Sequence, residues 1–127
     1  MSFLELTAGI EAAVGPVGVH PLAVRHTSGA PAHALRVSCD GRLVAYSGDT
    51  EWTEALIDAA TGADLFICEA YFYDKPVPFH LDYATLMRHR DALTCHRLIL
   101  THMHSDMLAR LDSLELETAY DGLTLTL

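Results

Sequence analysis

Positive charge is scarce in this chain. Eight Lys and Arg stand against 17 Asp and Glu, a formal charge of −9 at pH 7. A surface so negative repels a phosphate backbone, whereas nucleic-acid binding needs a basic patch. Nucleic acid is therefore not expected as a partner of this chain alone. Cysteine is also sparse. Cys39, Cys68 and Cys95 are odd in number and form no CxxC, which excludes a disulfide framework and a cysteine zinc finger. Cys68 and Cys95 adjoin apolar runs and read as buried thiols of a reducing compartment, with the cytoplasm as the expected location. No basic-then-apolar leader opens the chain and no apolar run nears spanning length, so neither a secretory signal nor a membrane is expected. Repeats, low-complexity tracts and interdomain linkers are missing too. The 127 residues are expected to form a single domain over 1–127, or a piece of a larger one.

Apolar material is ample, at 50% of residues with a mean hydropathy of +0.20, enough for a packed core. Phe3–Leu6 reads as a short strand and Gly18–His26 as an edge strand, with Pro21 marking an edge or bulge. His33–Cys39 and Arg42–Tyr46 flank Asp40-Gly41, a hairpin signal. Past Asp49 the pattern changes. Thr50 can cap a helix that carries Trp52, Leu56, Ile57 and Ala60 on one face and ends at Gly62. Asp64–Cys68 is a buried strand, and Asp82 can cap a second helix. Arg97–Thr101 is another strand, and Ser105 or Asp106 can cap a short helix. Leu114–Thr118 and Leu123–Leu127 alternate around Asp121-Gly122 as a closing hairpin. The expected class is α+β, a mixed sheet with helices on one face only.

Two apolar runs end in metal-competent side chains: Leu43–Thr50, closing in Ser47-Gly48-Asp49-Thr50, and Arg97–Asp106, closing in Thr101-His102-Met103-His104. Asp49 suits a ligand, and it equally suits a helix cap. His-x-His at a strand end can chelate, because alternate residues point the same way; it also occurs as a solvated loop. Two such rims in one βαβαβ run open at one sheet edge, which favours His102 and Asp49 as neighbouring ligands.

These motifs, taken in order, resemble the C-terminal half of a metallo-β-lactamase-fold hydrolase of the RNase Z-like branch. Ala23–His26 followed by His33–Val37 is similar to the segment bearing that family's third metal histidine. Tyr46–Thr50 matches the motif whose aspartate bridges two metals. Ile67–Phe72 is similar to the His-Glu-Ala-Thr loop, keeping Glu69 and Ala70 but neither the flanking His nor the Thr. Phe79–Asp82 stands where the branch has His-Ser-Thr and keeps only His80. Leu98–Met103 matches the strand ending in the last ligand histidine. The resemblance spans about Val17 to Leu127 and implies half of an αβ/βα sandwich.

It also implies a site. His26, Asp49 and His102 would be metal ligands, with Asp49 bridging two Zn2+ ions; Mn2+ or Fe are alternatives. Glu69 and His80 would be catalytic, His80 protonating the leaving oxygen while Glu69 polarises it. The activity implied is metal-dependent hydrolysis of a phosphodiester or other small molecule by a metal-activated water. His104 and Asp106 imitate the family's first motif, His-x-His-x-Asp-His, but Met107 stands at its last histidine, so both read as non-ligands. His20, His33, His89 and His96 read as surface or packing residues. No His-x-His-x-Asp-His precedes His26. The site is therefore expected to be incomplete without an N-terminal half, and the bare sheet face to need that half or a second copy as partner. The rival readings are a non-catalytic partner-binding module that keeps the fold, and a mononuclear metal binder using His102 and His104.

Overall fold

The computed structural model describes residues 3–127. Seven strands lie side by side in chain order in one sheet. They are β1 (Ala12–Val14), β2 (Val17–Ala23), β3 (His33–Cys39), β4 (Arg42–Tyr46), β5 (Leu65–Glu69), β6 (Leu98–Thr101) and β7 (Glu117–Thr118). Strands β1 to β4 pair antiparallel, and β4 to β7 pair parallel. The switch follows from the connections. Cys39 pairs with Arg42 across Asp40-Gly41, whose φ angles of 50° and 76° are both positive, the hairpin geometry that Asp-Gly favours. Parallel neighbours need longer crossovers, here through α1 (Ala55–Ala60), α2 (Tyr83–Arg88) and α3 (Ser105–Leu108).

Alternation along the strands sorts the sheet into two faces. On one, Leu22, Ala34, Leu43, Ala45, Phe66, Cys68, Leu98 and Leu100 join a single apolar core. The buried residues of all three helices, Leu56, Ala59 and Ala60, Tyr83 and Leu86, and Met107, belong to that same core. The α+β class, the mixed sheet and the one-sided helices are thus as the sequence pattern implies. The opposite face carries Val17, Val19, Leu35, Val37, Val44 and Ile67, all partly exposed, Tyr46, 38% exposed, and the buried Pro21, Leu65 and Ile99.

Three local expectations are corrected. Phe3–Leu6 forms no strand; the first is Ala12–Val14. Thr50 caps no helix, because the backbone N–H of Glu51 donates to the Arg25 carbonyl at 3.1 Å and ties this stretch to the chain after β2. Helix α1 therefore starts only after Glu54, and Trp52, ahead of it, stacks on His89 with ring centroids 4.0 Å apart. The closing hairpin is absent. Residues 117–118 pair parallel with β6 instead, and the Ala119 N–H extends that edge to the Leu100 carbonyl at 2.7 Å. The edge of β6 offers a ladder already anchored by the core, which a two-strand ribbon lacks. The cap at Asp82 forms as expected: its carboxylate accepts from the Thr85 N–H at 2.8 Å and the Thr85 hydroxyl at 2.6 Å.

Candidate metal centre

Strands β2, β4, β5 and β6 all run the same way, so their C-terminal ends share one rim. The chain leaving β2 is stitched to the chain leaving β4. The Arg25 N–H donates to Thr50 Oγ1 at 3.0 Å, and the Arg25 guanidinium pairs with Glu51 at 2.8 Å. Those bonds set His26 beside Asp49. The turn that presents Asp49 depends on Gly48, whose φ is +61° and where a Cβ would lie 2.7 Å from the His33 carbonyl oxygen. Only glycine fits such a position without strain.

Glu69 ends β5 and is fully buried. Its own N–H donates to Ser47 Oγ at 2.9 Å. Its carboxylate accepts a short hydrogen bond from the Thr50 N–H and faces His80 Nδ1 at 3.0 Å. Burial, the main cause, pushes this carboxyl up to about 7, against the pull of its backbone donors at Thr50 and Leu81. Burial likewise moves His80 below the usual imidazole range, and nearby His26 adds to this while Asp49 opposes it. Burial thus disfavours charge on both groups, a preference that a bound dication would reverse.

His102 follows β6 with φ of +54°, and Phe79 precedes His80 with φ of +67°. Non-glycine residues adopt this region at a cost of order 1 kcal/mol or more, so two strained residues flank the rim. The Phe79 carbonyl accepts from His26 Nδ1 at 2.9 Å. A carbonyl can only accept, so His26 carries a proton on Nδ1, and Nε2 is the nitrogen left to face a ligand. Asp49 Oδ1 lies 3.5 Å from His102 Nδ1. Two donors on one tetrahedral ion, each at about 2.1 Å, stand about 3.4 Å apart, so this pair has the spacing of shared ligands.

Two sets of three therefore form among the described residues: His26, Asp49 and His80, and Glu69, His80 and His102, each with donor atoms within 4.8 Å of one another. The structure brings together all five residues singled out in the sequence. Its addition is the central place of His80, which belongs to both sets. Imidazole nitrogen mixed with carboxylate oxygen suits zinc and its neighbours in the first transition series.

Neither set includes His104 or Asp106. His104 caps α3, a role expected of Ser105 or Asp106, and its Nδ1 accepts from the Asp106 N–H at 3.3 Å. Asp106 accepts from the Tyr73 N–H at 3.0 Å, and that bond, with Arg110 beside it, holds its carboxyl below the usual range. Both residues fasten the 71–75 loop to α3. An open cavity of about 430 Å³, lined by Tyr71 and residues 102–105, adjoins the rim.

Residues 2–103 match the family model described as the beta-lactamase superfamily domain. The chain belongs to the beta-lactamase superfamily. An uncharacterised Mycobacterium leprae protein, ML1173, is 32% identical over 94 residues, which cover 71% of this chain and 32% of the relative. The metallo-beta-lactamase fold protein YhfI of Bacillus subtilis superposes with a TM-score of 0.75 at 22% identity, covering 93% of this chain and 53% of that one. A diphosphatase from the PhnP family superposes at 0.77 with 20% identity, covering 95% and 47%. The chain thus spans about a third of its curated relative and about half of these superfamily structures, and shares their metallo-β-lactamase fold.

Proposed function

We propose that this chain supplies one side of a metal-dependent hydrolase site, acting on a phosphodiester or a related small molecule. The observation that carries the reading is the convergence of His26, Asp49, Glu69, His80 and His102 at one rim, with donor atoms of each set within 4.8 Å. His26, Asp49 and His102 would hold metal, two Zn2+ ions when the site is complete; Mn2+ or Fe would fit the same donors. A bound metal supplies a nucleophilic water at neutral pH and draws charge from the scissile bond. The buried Glu69 carboxylate would orient His80 through Nδ1, leaving Nε2 to bind or to pass a proton to the leaving oxygen. The likeness to a PhnP-family diphosphatase supports a phosphorus-centred substrate, and the charge of −9 disfavours a nucleic-acid one.

Three ligands are few for a pair of ions. We infer that further ligands come from a segment with His-x-His-x-Asp-His, seated on the apolar sheet face of Val19, Val37, Val44 and Ile67. No helix of the described residues is long and apolar enough to cross a membrane, and three free thiols suit the cytoplasm. The test is metal content by mass spectrometry together with hydrolysis of bis(p-nitrophenyl) phosphate. The chain alone should hold at most one ion and show little turnover. Adding the histidine-rich segment should raise both, and His26→Ala, Asp49→Ala or His102→Ala should abolish the gain. Full turnover by the chain alone would show that the missing-ligand account is wrong. The same apolar face favours a second reading, a non-catalytic module that keeps the fold and binds a partner. An assembled unit without metal would select it.

A further inference from the structure

The superfamily-like loop Cys68-Glu69-Ala70-Tyr71 carries a tyrosine where the related motif has threonine, and the structure shows what the ring does. The backbone of Tyr71 bridges two loops. Its N–H donates to the Leu81 carbonyl at 2.8 Å, next to His80, and its carbonyl accepts from the His104 N–H at 2.9 Å, two residues beyond His102. Its ring lies between the same two loops. It stacks on His80 with centroids 4.5 Å apart and planes 22° apart. It also packs on His102 at 5.2 Å and on His104 at 5.5 Å. His80 and His102 in turn stack on each other at 5.3 Å, 10° from parallel. Phe72 closes the arrangement, edge-on to Tyr71 at 4.9 Å and against His104 at 4.5 Å.

Three rings that touch pairwise leave little freedom for any one to rotate. An imidazole has two torsions, and at His80 one nitrogen is already tied to Glu69. Among the described residues no carbonyl or carboxylate hydrogen-bonds the His102 ring; its polar neighbours are Asp49, at 3.5 Å, and Glu69, within 4.8 Å, both candidate site residues themselves. Packing must then do what a hydrogen bond does for His26 and His80. We propose that Tyr71 is a positioning residue, a flat wedge that sets the ring planes of His80 and His102 so that their nitrogens face one cation. The role belongs to the ring rather than the hydroxyl. Threonine, lacking a ring, cannot fill it.

The inference rests on the metal-centre reading, so the experiment has one arm that needs no metal. In the metal-free chain, NMR of labelled histidines should show His80 and His102 ring carbons that are rigid and shifted by ring current. Tyr71→Phe should keep both signatures; Tyr71→Thr and Tyr71→Leu should lose them while the thermal midpoint shows a folded chain. In the second arm, Co2+ is titrated and its absorption spectrum recorded. Tyr71→Phe should bind within about twofold of the parent, and Tyr71→Thr about 10- to 100-fold more weakly with an altered spectrum, the usual cost of disturbing a ligand's support. Unchanged ring order in Tyr71→Thr, or unchanged Co2+ affinity and spectrum, would overturn the role of Tyr71. A parent chain that binds Co2+ neither alone nor with the histidine-rich segment, yet shows the ring-order contrast, would instead overturn the metal reading and leave the wedge standing.

Discussion

The two halves of the sheet have unlike tasks. Strands β4 to β6 run parallel and are buried on the helix side by Ala45, Phe66, Cys68, Leu98 and Leu100. Strands β1 to β3 run antiparallel and are mostly half-exposed, with Val14 59% exposed at the edge. Four of the five candidate site residues, Asp49, Glu69, His80 and His102, come from the parallel half. Parallel strands send all their C-terminal ends to one rim, so loops leaving them meet without further design. His26 alone comes from the antiparallel half, and it needs the Arg25–Thr50 and Arg25–Glu51 bonds to reach the same place. Chemistry is gathered where direction repeats, and most of the buried core lies there too.

That contrast can be broken experimentally, beginning with the core. Phe66→Ala should cost about 3–5 kcal/mol, while Val37→Ala, half-buried on the opposite face, should cost under about 1. Urea unfolding of both variants checks the difference, and equal losses would mean that the two halves are stabilised alike. Next in size is the buried carboxyl of Glu69, raised from 4.5 to about 7 by burial. A raised value means the folded chain holds the proton more tightly than the unfolded one. Its contribution to stability is therefore present below about 4.5 and lost as pH rises through about 7, by about 3 kcal/mol at most. Glu69→Gln should flatten that slope in metal-free protein, read as thermal midpoint against pH. Gly48→Ala should cost of order 1–3 kcal/mol, since it meets both a positive φ and the His33 carbonyl. It should also displace Asp49 and weaken Co2+ binding, which a core variant of equal cost should not do. The smallest effect is expected from Asp82→Ala, about 1 kcal/mol from the lost cap of α2, with metal binding retained.

Much of this was legible beforehand because its causes are local. Asp40-Gly41 demands a tight hairpin whatever surrounds it, and the runs at β5 and β6 are too apolar to lie anywhere but inside. Where a segment had two feasible partners, pattern was not enough. Thr50 has the chemistry of a cap, but its hydroxyl accepts from the Arg25 N–H and donates to the Glu51 carbonyl instead. Residues 114–127 alternate like a hairpin, yet the edge of β6 took their first strand. His104 looked like a ligand's neighbour and turned out to cap a helix.

The same division holds for the site. Residue order alone determined which side chains have metal chemistry, which strands carry them, and that their motifs resemble one superfamily. Only the tertiary structure decided that His80 lies at the centre of the cluster, that the Phe79 carbonyl selects the tautomer of His26, and that Tyr71 is wedged among the histidines. Donor type is a property of one residue and survives in the sequence. Distance and ring orientation are properties of several remote segments at once, and they exist only after the sheet has brought those segments to one rim.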